Sequence, residues 1–135
     1  SEEAGTVSSY PYVEQGIQKM LEEVPKEKVI NAVPFFTRFW KTDVEGSVTS
    51  EAIGMDEEDV KVQNNNAEKV WNETCKQYYV EFDYDGSTYQ MWMEEENSIE
   101  EKMKLIKQYD LAGVSSWRLG YERSSIWDVI LKYVN

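Results

Sequence analysis

The chain has 135 residues, enough for one domain with a substantial core. It carries 14 Lys and Arg against 26 Asp and Glu, a formal net charge of -12, which repels phosphate backbones and anionic membrane surfaces and argues against nucleic acid as a partner. With no histidine, a Ser-His-Asp triad, a Cys-His pair and His-ligated zinc are excluded, so any chemistry would fall to carboxylates, Tyr, Lys, Arg or Cys75.

The first ten residues, SEEAGTVSSY, are polar and acidic and do not read as a signal peptide; one could have been removed or could lie upstream. Ser9 is placed to cap a helix with Pro11 in its first turn, where a missing N–H costs nothing. Val13, Ile17, Met20, Leu21 and Val24 recur at helical spacing, and Pro25 is expected to end that helix. After a charged link at 26–28, Val29 to Phe36 is nearly continuously apolar, as in a strand buried on both faces. Helix, short link and buried strand is the rhythm of an α/β barrel.

Residues 41–97 break that rhythm. A loop is expected at 43–47, a short helix at 56–62 and a turn at 64–66. Tyr78, Val80, Phe82 and Tyr84 alternate with Tyr79, Glu81 and Asp83, Asp85-Gly86 supplies the turn, and Thr88 to Met93 returns, which predicts a hairpin. The rhythm then resumes. Ser98 and Glu101 fit a capping box, and Ile99, Met103 and Ile106 form the buried stripe of a helix reaching about Tyr109. Leu111 to Trp117 is a second buried strand. Ser124 or Ser125 caps a last helix with Ile126, Ile130, Tyr133 and Val134 inward. No run of roughly 18 apolar residues occurs, so no membrane span is expected.

The acidic runs at 94–96 and 56–59 read as solvated patches rather than metal sites. Residues 81–86 mimic the start of a calcium loop, but Trp92 falls where that loop requires Glu, so the hairpin is preferred. Asn72-Glu73-Thr74 is a glycosylation sequon only where the protein meets that machinery. Cys75 is alone, forms no internal disulfide and reads as an inert small residue. Trp117, in an apolar strand, is either a core residue or a flat surface for a sugar. Arg38 is either half of a structural ion pair or a ligand-facing donor.

Three blocks occur in a telling order: Pro34-Phe35-Phe36-Thr37-Arg38, Trp92-Met93-Glu94-Glu95-Glu96-Asn97-Ser98, and Leu111-Ala112-Gly113-Val114-Ser115-Ser116-Trp117-Arg118-Leu119-Gly120-Tyr121-Glu122. Together they resemble the C-terminal part of family 18 glycoside hydrolases of the chitinase and spore cortex-lytic type. The resemblance implies an α+β chain: the last two helix-strand units of a (β/α)8 barrel (1–40 and 98–135), interrupted by an α+β insertion (41–97) built around the hairpin. It implies Trp117 as the aromatic floor under a sugar, Arg38 and Phe36 lining the same cleft, and Glu95 at its rim. Phe36 stands where the family usually has Tyr, so a hydroxyl is lost there; Ala32, Ser115 and Ser116 also depart from the pattern.

The family's acid-bearing DxxDxDxE motif is absent from these residues. Family 18 enzymes let the substrate's acetamido group attack while one Glu serves as acid and base, and that Glu lies on a strand not found here. The resemblance therefore implies a piece of a glycosidase acting on N-acetylglucosamine-containing polymers, chitin or peptidoglycan, inactive alone, with no catalytic residue, metal ligand or cofactor assigned. A non-catalytic carbohydrate-binding or protein-interaction module is the alternative. By family, the setting would be extracellular, cell-envelope or spore. Two strands cannot close a barrel, so their edges could pair with a second copy in a homodimer.

Overall fold

A computed structural model describes residues 3–117 and 121–133, with Ser116 and Trp117 by backbone alone. The inward placement expected of Val134 lies outside the described residues. Helix α1 (Tyr10–Leu21) starts as expected: the Ser9 side chain accepts from the Tyr12 N–H, and Pro11 sits in the first turn. Val13 and Ile17 are buried against Leu105, whereas Met20 is half exposed. The helix ends at Leu21, four residues before Pro25, and a single 3-10 turn over 26–28 leads into strand β1 (Ile30–Pro34).

The strand expected over 29–36 is two strands. After Phe35 the chain enters β2 (Phe36–Thr42) and a different sheet. Strand β1 pairs in parallel with β7 (Gly113–Trp117), from Ile30 opposite Gly113 to Pro34 opposite Trp117. Nor is β1 buried on both faces. Val33 and Phe35 are fully buried under helices α3 (Glu96–Gln108) and α4 (Ser125–Leu131), but Ile30 is 61% exposed. Among the described residues this sheet has two strands, and on the face away from those helices Ile30 and Ala32 are exposed.

The second sheet is antiparallel, in the order β3 (Val48–Gly54), β2, β6 (Ser87–Trp92), β5 (Gln77–Tyr84), β4 (Val70–Asn72). The hairpin stands in the expected register. Asp85 and Gly86 both have positive φ, the backbone that a two-residue turn between right-twisted strands demands. Strand β3, which follows the expected loop, has no counterpart in the sequence reading. Helix α2 (Met55–Asn64) lies on one face of this sheet, over Phe39, Ile53, Val80, Met91 and Met93. The sheet takes in residues from Phe36 onward, upstream of the expected division at 41.

The two sheets are also joined after β7. The Met55 N–H, at the start of α2, donates to the Tyr121 carbonyl at 2.8 Å. Gly54 makes this approach possible: a Cβ there would lie 2.7 Å from a Tyr121 ring carbon and 3.0 Å from its carbonyl oxygen. Gly54→Ala is therefore expected to lower stability by about 1–3 kcal/mol, the usual cost of overpacking. A fall in urea midpoint at unchanged slope is the expected result; an unchanged midpoint would refute the crowding.

Candidate functional site

Side chains alternate along a strand, so Phe36, Arg38, Trp40 and Thr42 share the face of β2 away from α2. Trp40 stands opposite Gln90, Gln90 opposite Glu81, and Trp92 opposite Tyr79. The β2–β6 pairing ends at Trp40 and Gln90; Arg38, two residues before Trp40, and Trp92, two after Gln90, fall on the same face. One face thus carries a row of Arg38, Trp92 and Tyr79 beside a row of Trp40, Gln90 and Glu81. The Tyr79 and Trp92 rings are 5.0 Å apart, tilted by 53°. The Gln90 amide donates to the Tyr79 hydroxyl at 2.8 Å, which in turn donates to Glu81 at 2.6 Å.

Arg38 sits third in β2, inside the five-stranded sheet rather than at the end of a barrel strand. It donates to the Ser50 hydroxyl at 2.8 Å and to the Ser50 carbonyl at 3.5 Å. Among the described residues it forms no ion pair. The Phe36 ring lies 6.0 Å from that of Tyr121, and Pro34, two residues earlier, is opposite Trp117. The backbone of Trp117 therefore ends β7 beside the entry to β2, while its side chain lies outside the described residues. Trp40 is nearly buried and donates through Nε1 to the Gly5 carbonyl at 2.9 Å, so the segment before α1 crosses this face.

Glu95 has a local task. It is buried, and its carboxylate accepts from the Asn97 and Ser98 N–H groups at 3.1 and 3.2 Å, while Ser98 Oγ accepts from the Glu95 N–H at 2.9 Å. This capping box starts α3 three residues before the Ser98–Glu101 pair that the sequence suggested.

Of the two acidic runs expected to be solvated, Asp56 and Glu57 are exposed, but Glu58 and Glu94 are not. Glu94 is 1% exposed, its carboxylate paired with the fully buried Lys102 and accepting from Ser98 Oγ. Glu58 is also fully buried; one oxygen accepts from the Glu94 N–H at 3.0 Å, and the other has no partner. Lys102 explains the burial of Glu94, because a carboxylate can leave water when a charge partner and donors replace it. Burial raises the pKa of Glu94 against the opposing pull of Lys102. Burial, then the negative charge of Glu94, pushes Glu58 well above the ordinary carboxylate range. Among the described residues no group of three or more acidic or cysteine side chains is placed to hold a metal, and no helix is long and apolar enough to cross a membrane.

Tyr79, Gln90 and Trp92 were not picked out from the sequence as site residues, although a signal existed. A two-residue turn at 85–86 sets Tyr79 opposite Trp92, and β2 then only has to join that sheet edge to bring Arg38 alongside.

The family model for glycosyl hydrolases family 18 matches residues 5–122. A Bacillus subtilis protein described as the uncharacterized glycosylase YvbX is 28% identical over 131 residues, which is 96% of this chain and 38% of that protein. Among solved structures, the Bacillus cereus spore cortex-lytic enzyme SleL superposes with a TM-score of 0.90 at 19% identity, covering 99% of this chain and 31% of the other. A chitinase from Chromobacterium violaceum superposes with a TM-score of 0.87 at 20% identity, covering 98% and 41%. At that identity the superpositions show a shared α+β fold. The chain spans well under half the length of each.

Glu58 supplies a pH test. An acid whose folded pKa is raised binds more protons folded than unfolded, so its stability contribution is fully present below the unfolded pKa. That contribution is lost as pH climbs toward the folded value. Glu58→Gln, which keeps the shape without the charge, is expected to flatten the fall in urea midpoint between weakly acidic and alkaline pH. Parallel profiles for variant and wild type would show that Glu58 does not carry that dependence.

Proposed function

This chain belongs to family 18 of the glycosyl hydrolases, and we propose that it is the C-terminal part of a glycosidase that hydrolyses N-acetylglucosamine-containing polysaccharide, chitin or peptidoglycan. The observation that carries the reading is the sheet face with Phe36, Arg38, Trp92 and Tyr79, which begins where β1 and β7 end. Flat rings stack on the apolar face of a pyranose, and fixed side-chain donors bind its hydroxyl and carbonyl groups. Trp117 would add the floor. The similarity to enzymes named for lysing spore cortex and to a chitinase supports the substrate class.

In the same reading, α1–β1 and α3–β7 are two helix-strand units of a (β/α)8 barrel, with 1–40 and 98–135 barrel-derived and 41–97 an insertion. The parallel pairing of β1 with β7 and the separate antiparallel sheet support it. The chain would bind sugar but not cleave it, since no DxxDxDxE motif supplies the acid and Phe36 lacks a hydroxyl. That same absence favours one alternative, a carbohydrate-binding or interaction module that never had the acid. An upstream DxxDxDxE in the reading frame would support the glycosidase, and a start codon near Ser1 the module.

The exposed edges of β1 and β7 could also pair with a second copy in a homodimer. The expected outcome is a dimer by light scattering at micromolar concentration, and a monomer removes that proposal. Sugar binding is tested by intrinsic tryptophan fluorescence during titration with N-acetylglucosamine oligomers. A saturable change is expected for wild type, lost in Trp117→Ala and about tenfold weaker in Arg38→Ala, the effect of roughly one charge-assisted hydrogen bond. No saturable change in wild type would refute binding by this chain.

A further inference from the structure

The segment leaving β7 carries a cation the sequence reading did not use. Arg123 precedes α4, and its side chain is 22% exposed. Its Nε donates to Glu96, in the first turn of α3, at 2.5 Å. Its Nη1 pairs with Asp59 of α2 and lies 3.8 Å from Asp56. One planar guanidinium thus spans two helices from different layers, which a point-like ammonium could not do with directed bonds to both. Two residues earlier, the Tyr121 carbonyl accepts from the Met55 N–H, its ring faces Phe36, and Gly54 leaves room for it.

We propose that Arg123 is a positioning residue: it latches the chain that leaves β7 onto α2 and α3, and so fixes the wall formed by Phe36 and Tyr121. The attachments converge on Tyr121 and Arg123, and the charged attachment is the one that reaches both helices. The Met55–Tyr121 hydrogen bond ties α2 to the same segment, next to the expected sugar floor. The consequence for saccharide binding rests on the function proposed above; the latch itself does not.

The test uses the whole chain. Amide hydrogen exchange is followed in wild type, in Arg123→Gln, and in the Asp59→Asn/Glu96→Gln double variant, which keeps the arginine and removes both partners' charges. Exchange at the Met55 amide is expected to rise about tenfold in both variants, while the interior α3 amides of Met103 and Ile106 keep wild-type protection, the pattern of local rather than global opening. Affinity for N-acetylglucosamine oligomers is expected to fall by a similar factor in the same variants. Unchanged protection at Met55 overturns the latch. Equal loss of protection at Met103 and Ile106 overturns it too, since Arg123 would then only add to global stability. Selective release of Met55 with unaltered oligomer affinity leaves no positioning role. A wild type that binds no oligomer sinks the proposed function, and the exchange pattern still decides the latch.

Discussion

The buried pair of Lys102 and Glu94 is the contact on which the arrangement of layers turns. It lies at the corner where β6 gives way to α3, and groups from three elements gather on it. Ser98 donates to the Glu94 carboxylate from α3, the Gln77 amide reaches it at 3.5 Å from β5, and Glu58 of α2 accepts from the Glu94 backbone N–H. Removing one partner of such a pair typically costs about 3–5 kcal/mol, because the other is left charged and out of water. The corner therefore tolerates one geometry, and that geometry fixes how the helical layer and the five-stranded sheet meet. Ile99 and Met103, on the same turns of α3 as Ser98 and Lys102, complete the core under β1.

That junction also sets the reach of the candidate site. Phe35 is fully buried and meets Trp127 edge-on at 5.5 Å, and around it the chain changes from a parallel sheet to an antiparallel one. Phe36 and Arg38 consequently leave the ends of the parallel pair and enter a face that already holds Tyr79, Gln90 and Trp92. The face lies on the five-stranded sheet and begins where the parallel pair ends, so what surrounds it depends on how rigidly the two sheets are joined. The contacts of Tyr121 and Arg123 with α2 and α3 bear on that rigidity directly. The negative charge of the chain does not oppose a neutral glycan, which has no charge to be repelled.

Much of the local structure was legible. The Ser9 cap with Pro11, the α3 stripe of Ile99, Met103 and Ile106, and the Asp85-Gly86 hairpin all follow from short-range rules that the tertiary structure did not override. The errors have physical causes. Val29 to Phe36 looks like one strand because hydrophobicity does not mark a change of sheet. Strand β3 was missed because Val48 to Gly54 is only weakly apolar and is held chiefly by its pairing with β2. Glu94 looked solvated because a lysine eight residues further on folds in beside it, and Glu58 because its partner, the Glu94 backbone N–H, lies thirty-six residues away in sequence.

By itself the sequence determined the helices, the hairpin register and the order of three motifs. These are properties of neighbours along the chain or of residue identity. Only the tertiary structure decided that Arg38 joins Trp92 and Tyr79 on one sheet face, that Glu94 is an interior charge, that Glu95 is committed to the start of α3, and that Arg123 spans two helices. Each depends on residues distant in sequence meeting at separations of a few ångströms, where burial and charge pairing, not local pattern, fix the outcome.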